Sequence, residues 1–269
     1  MISLILDIVS SAAILFILSA GLLIIFGVMN ILNFAHAGLL SVGAYVALTV
    51  TQLGLSPWLA IPLSFAAGFF VGAFIEQTVM RWIYARSLDA ILAAWGLGLI
   101  IVQLITITYG RQIQFVETPL SGAISVFGET DSVYRLFLVR LALLMRMSLT
   151  FRLIGTSLGL NTRAVIMNDN LAQALGINSA LVRFLSFSIG SAIAAMAGAL
   201  ITPLSAVNPN MGFPWLVSCF MIVLLSGSSL VSLALSAVIL GGAQVLVSTF
   251  ISPVAGGMTI VVLAAIILR

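Results

Sequence analysis

The sequence predicts an all-α, polytopic membrane bundle of about eight spans with broken helices, and three observations predict it. Of 269 residues, 62% are hydrophobic and 6% charged, and the mean hydropathy is +1.29; a soluble domain keeps about a quarter of its residues charged. The apolar residues fall in runs close to the roughly 20 residues a helix needs to cross hydrocarbon. Polar residues collect in short blocks between these runs, so residues 1–269 read as one transmembrane domain with no extramembrane domain of useful size.

The runs follow in order. Residues 8–29 are unbroken, and residues 39–50 come after a polar interruption over 30–38. A third run, 57–80, opens on Pro57 and Trp58, which suit a first helical turn and a membrane interface respectively. After R-W-I-Y-A-R-S-L-D (81–89) a fourth run covers 90–109. The longest polar stretch, 110–132, reads as an exposed loop. A fifth run, 133–154, leads to a polar block, and a sixth covers 180–202. The segment 208–214, with two Pro and a Gly, reads as a turn. The remainder, 215–269, is apolar but broken at S-G-S-S (226–229) and S-P-V-A-G-G (252–257).

Arginine sets the orientation, because basic residues collect on the cytoplasmic side. Arg81, Arg86, Arg152, Arg163, Arg183 and Arg269 share one side, leaving Arg111 and Arg135 on the other. The block after the fifth run is then cytoplasmic and the N-terminus lies outside, or inside if the 30–38 interruption is a re-entrant bend, the outside placement being favoured. Arg140 and Arg146 fall inside the fifth run, where a charge costs about 3 kcal/mol at mid-bilayer on insertion scales. The spacings of five, six and six from Arg135 to Arg152 scatter around a helix, so snorkelling or pairing within the bundle fits better than a voltage-sensing stripe.

Absences narrow the function classes. All ten basic residues are Arg; without a Lys there is no Walker A loop and no Schiff base. One His and one Cys exclude a Cys/His metal site and an internal disulfide. No catalytic residue, cofactor or metal is expected, and no cleavable leader is apparent.

The segment 163–178, R-A-V-I-M-N-D-N-L-A-Q-A-L-G-I-N, puts one Arg, one Asp and three Asn into one helix-compatible block between two apolar runs. Leu171, Ala174, Leu175 and Ile177 offer an apolar side. Asn168, Asp169 and Asn170 suit a helix start, and Gly176 a helix end. A short soluble helix between two spans is a surface on which another protein can push. Residues 27–38, G-V-M-N-I-L-N-F-A-H-A-G, place Asn30, Asn33 and His36 at membrane depth, where polar groups must be paired or face water. They line a cavity, a seam or a broken helix, and His36 reads as a structural histidine bonded to a carbonyl rather than as a proton relay. Ser226, Gly227 and Ser228 interrupt the second half in a comparable way, either as its counterpart break or as close helix packing.

These segments resemble the permease subunits of ATP-binding cassette importers of the branched-chain amino acid type, over about 15–269. The importers' coupling loop carries E-A-A and then a Gly four residues later. Ala172 and Gly176 hold matching positions, Asn170 stands where the acid is expected and Leu171 replaces the first Ala. Arg163, Ala164, Val165, Asn168, Leu175, Gly176, Ile177 and Asn178 fit the variant of this family, and Asp169 can supply the charge. Asn33-Phe34-Ala35-His36 followed by Gly43-Ala44-Tyr45 is similar to the family's first-half signature. Trp95-Gly96 looks more like members that serve urea or short amides, while Trp95 also reads as core packing.

The resemblance implies an importer permease fold in the cytoplasmic (inner) membrane, with a coupling loop over about 156–179. It implies transport of branched-chain amino acids or a related small solute such as urea, with no enzymatic activity of its own. The implied partners are ATPase subunits, a second homologous permease, a periplasmic or extracellular binding protein and membrane lipid, with no nucleic acid. A stand-alone secondary transporter or channel is the alternative, and the shortage of acids within the spans argues against it.

Overall fold

The computed structural model describes residues 2–84, 86–120, 122–126 and 129–269. Helix α1 (Ile2–Met29) is followed by α2 (His36–Gln52), α3 (Ala60–Thr78) and α4 (Ser87–Tyr109). A β-hairpin, β1 (Ala123–Val126) with β2 (Glu129–Ser132), precedes α5 (Val133–Gly155), α6 (Ser157–Met167) and α7 (Asp169–Ala174). The chain ends with α8 (Ser179–Ile201), α9 (Phe213–Ser226), α10 (Leu230–Phe250) and α11 (Pro253–Leu268).

Among the described residues five helical segments are long and apolar enough to cross a membrane: Ile2–Met29, Pro57–Trp82, Ser87–Tyr109, Ser179–Leu204 and Leu230–Phe250. The 23-residue α5 has the length but carries four arginines. With 17, 14 and 16 residues, α2, α9 and α11 are shorter, and at 1.5 Å per residue each falls short of a full crossing of roughly 30 Å.

The chain is built from two inverted halves. Asp7 of α1 pairs with Arg135 at the start of α5, at 2.6 Å, so these two helices begin at the same end, called outer here from the arginine bias. α8 begins where α5 and its extension finish, so it runs opposite to α1. α1 and α8 pack on each other, α3 lies along α8 and α10 along α1, while α2 leans on α4 as α9 leans on α11. Each half therefore reads long buried helix, interruption, shorter helix, then two more helices. Inverted repeats with discontinuous helices are a recurring transporter architecture.

Both interruptions enter the bundle. His36, at the start of α2, bonds the carbonyl of Leu18. That carbonyl lies eleven residues before the end of α1, so residues 30–35 climb back by roughly 16 Å. From the opposite side, 205–212 descends until Gly212 meets the Ala37 carbonyl so closely that a Cβ would overlap it. The Ser41 hydroxyl donates to the Pro209 carbonyl at 2.9 Å. The N-termini of α2 and α9 thus meet at mid-depth.

Several expectations change. α1 starts at Ile2 rather than near residue 8, because Asp7 finds an ionic partner in Arg135. The 110–132 stretch holds the hairpin, with Ala123 opposite Ser132, and Gln114 bridges to Val207. The polar block forms two helices, because Asn168 is extended (φ −160°, ψ 104°) and restarts the chain as α7. Arg140 is exposed and Arg146 half-buried beside an apolar groove between α1, α5 and α10. No ion pair involves either arginine among the described residues.

Candidate functional site

The inner end carries a compact lever. The Asn168 side chain accepts from Leu171 N–H at 3.0 Å and caps α7. Asn178 does the same for α8, accepting from Leu181 N–H at 3.0 Å. Between them, Ile177 N–H donates to the Ala172 carbonyl and Gly176 N–H to Gln173, both at 3.0 Å. With Gly176 at φ +84°, this is a Schellman ending, and the apolar contact that goes with it is Ile177 on Ala172. Ala172 is the one buried residue of α7 and packs on Val165 of α6 and Val182 of α8. That seat orients the rest of the helix: Met167, Leu171 and Leu175 are 86%, 57% and 73% exposed. Arg163 and Asn170 stand exposed beside them. An apolar crown held on a rigid base suits a protein socket.

A polar chain ties this lever to the bundle. Asp169 forms an ion pair with Arg183 of α8. The Arg183 guanidinium lies 5.6 Å from the centre of the Tyr84 ring, and the Tyr84 hydroxyl donates to the buried Glu76 carboxylate at 3.3 Å. The neighbouring Ser179 hydroxyl, then Gln173 and Arg183, hold the Asp169 carboxyl below its ordinary value despite some burial. Burial, then Glu76, pushes the Tyr84 phenol well up, so it remains a donor. α7, α8, the turn after α3 and α3 itself are therefore mechanically linked.

At mid-depth, Asn33 and His36 are 1% and 0% exposed. The Asn33 side chain accepts from Ala35 N–H at 3.1 Å, so it fixes the turn of the break just before α2. His36 Nε2 lies 2.9 Å from the Leu18 carbonyl; a carbonyl only accepts, so Nε2 carries the proton. Asn33 Nδ2 and His36 Nδ1 have no hydrogen-bond partner among the described residues. Asn30, by contrast, is exposed at the inner end with φ +52°. Ser226, Gly227 and Ser228 also lie at the inner end. Ser226 donates to the Val223 carbonyl at 2.9 Å, Gly227 has φ +62°, and a Cβ on Gly27 would touch Ser228 at 3.7 Å and Ile166 at 3.9 Å. The structure thus separates the residues of the two polar interruptions into a central group and an inner-end group. The interruption facing 30–35 is 205–212, not 226–229.

Sequence reasoning missed what surrounds that centre. Phe34 stacks edge-on against Trp95 at 5.6 Å and Phe220 at 4.7 Å, and Trp95 against Phe213 at 5.5 Å. Trp95 is 41% exposed rather than core. Outward along α4, a cleft of ≈ 760 Å³ is lined by Gln103, Thr106, Arg111, Asn208 and Asn210 with apolar neighbours. No cluster of His, Cys, Asp or Glu able to hold a metal occurs among the described residues.

Comparison with known proteins gives the same architecture. Residues 4–268 match the family described as the permease component of branched-chain amino acid transport systems. A high-affinity branched-chain amino acid transport system permease protein, BraD of Pseudomonas aeruginosa, is 26% identical over 92% of this chain and 88% of its own length. A probable branched-chain amino acid transport permease protein, LivH of Methanocaldococcus jannaschii, is 28% identical over 90% of this chain and 79% of its own. Among solved structures, PsaBC from Streptococcus pneumoniae in complex with Fab aligns with a TM-score of 0.50 at 11% identity, covering 96% of this chain and 87% of that one. At that identity the likeness supports the fold alone.

Proposed function

This chain belongs to the family of branched-chain amino acid transport permeases, and from that membership we propose that it is the membrane-spanning subunit of an ATP-driven importer. It is a multi-pass protein of the cytoplasmic membrane. Its cargo on this reading is a branched-chain amino acid or a related compact solute such as urea or a short amide. Two ATPase subunits, a second homologous permease and a substrate-binding protein complete the machine.

The observation that carries the proposal is the lever: Met167, Leu171 and Leu175 present an apolar crown at the inner end, while Asp169 and Arg183 anchor its base to α8. Movement of a docked ATPase pushes on this crown. The push passes along the Asp169–Arg183–Tyr84–Glu76 chain into α8 and α3, whose inclination opens one end of the path and closes the other. The chain has no Lys for a nucleotide loop, so the fuel comes from the partner.

Uptake of radiolabelled leucine and urea into proteoliposomes carrying the assembled importer tests this. At least one of them accumulates only when ATP, the ATPase subunits and the binding protein are all present. Accumulation driven by an ion gradient with this permease alone would establish the secondary-transporter alternative instead.

A further inference from the structure

We propose that Trp95, with Phe34 and Phe213, forms the aromatic waist of the translocation path and sets the upper size of the solute that passes. The proposal rests on the permease reading above and assigns a specificity role to the membrane subunit itself. Three independent features of the structure meet at this point.

The first is position. Phe34 lies within the break, two residues before α2 begins, and Phe213 opens α9. The two half-crossing helices therefore bring their first residues together where the inverted halves meet, which is where transporters of this architecture hold solute. Gly98 of α4 closes the place from the side: a Cβ there would lie 3.3 Å from the Phe34 carbonyl and 3.4 Å from Ala35 Cα. The second feature is exposure. An indole locked edge-on to two phenyl rings at 5.6 and 5.5 Å ordinarily belongs to a core, yet Trp95 is 41% exposed. Its free face borders open space.

The third feature is continuity. Trp95, Leu99, Gln103 and Thr106 form one stripe of α4 at helical spacing, and the last three line the cleft of ≈ 760 Å³ that also holds Arg111, Asn208 and Asn210. Gln103 lies eight residues outward of Trp95, roughly 12 Å along the helix. The cleft, mixed polar and apolar, therefore lies on the same face of α4 as Trp95, one to three turns outward of it. Its outer rim is fixed, because Gln114 and Val207 exchange backbone hydrogen bonds at 2.9 and 2.8 Å. A mouth with such polar groups admits a solute with hydrogen-bonding groups, and the narrowing below it discriminates by bulk. With its large indole, the wild-type waist favours compact amides and urea over the branched aliphatic side chain of leucine.

The test has two arms, both on the assembled importer. In the first, Trp95→Cys and Leu104→Cys are treated from the outside with a charged, membrane-impermeant methanethiosulfonate; Cys219 is fully buried and stays silent. Leu104, 58% exposed, lies on the other exposed stripe of α4 and reports a lipid-facing position. Trp95→Cys reacts at least about tenfold faster; equal, slow labelling of both overturns the proposal. This arm uses no transported solute, so its failure is separate from failure of the permease reading. In the second arm, Trp95→Ala raises the leucine-to-urea uptake ratio by about tenfold, the scale on which a change in pocket bulk discriminates, and Trp95→Phe gives an intermediate ratio. An unchanged ratio in Trp95→Ala overturns the size role.

Discussion

Gly176→Val lowers ATP-driven uptake about tenfold while the protein still inserts and its ATPase partner still hydrolyses ATP. Gly176 holds φ +84°, a left-handed conformation that costs an L-residue roughly 1–2 kcal/mol, and β-branching adds to the strain. A strain of that size corresponds to a factor of about 5–30 in an equilibrium. The space around Gly176 is open, with nothing among the described residues within 4 Å of where a Cβ would sit, so the effect is conformational and not a clash. Relief comes by unwinding the Schellman ending, which moves Ile177 off Ala172 and swings Leu175 away from its docking direction. Asn tolerates the left-handed region better than most residues, so Gly176→Asn retains most of the uptake. Parallel measurement of uptake and ATP hydrolysis in proteoliposomes separates uncoupling from loss of protein.

Gly43→Ala prevents stable assembly of the bundle. α2 and α8 cross through reciprocal glycines: a Cβ on Gly43 would overlap the Ala195 carbonyl, and one on Gly198 would overlap the Leu40 carbonyl. Small residues permit such backbone approach, which in a membrane replaces the hydrophobic drive between helices. The obstruction is backbone on both sides, so no rotamer change relieves it. The cost exceeds the roughly 1–3 kcal/mol usual for overpacking. Gly198→Ala has the same outcome. Gly257→Ala is the control, since a Cβ there would have nothing among the described residues within 4 Å; it is neutral or stabilising, because Ala outranks Gly in a helix. Thermal unfolding of the purified proteins in detergent, followed by size-exclusion chromatography, ranks the three variants.

Much of the architecture is legible in the sequence because a bilayer imposes length and polarity directly. The long apolar runs become helices, and Asp7 shares the outer end with Arg135 as the arginine bias requires. Asn168 and Gly176 announce their capping roles through residue type alone. Features set by distant partners are not legible in this way. Residues 208–214 have turn chemistry, and nothing local says that the turn descends to meet Ala37. Ser226–Ser228 mimics the break at 30–35 in composition, yet it is a tight inner-end turn with Ser229 capping α10. Trp95 looks like core packing because an apolar run cannot distinguish a lipid-facing, buried or path-facing position. Only the meeting of α4 with Phe34 and Phe213 separates them. What the block hides is α6: residues 163–167 belong to a separate helix that starts back at Ser157, and residue type alone does not set where that helix begins.

Coupling requires that the ATPase grip the lever at the inner end. Leu175→Cys, in a chain whose native Cys219 is buried, tests it most directly by cross-linking with a short thiol-reactive photoprobe in inner-side-out membranes of the assembled importer. The expected result is a covalent adduct between this permease and its ATPase subunit, formed from the cytoplasmic side. An adduct with the binding protein, or labelling of Leu175→Cys only from the outer side, would contradict the account.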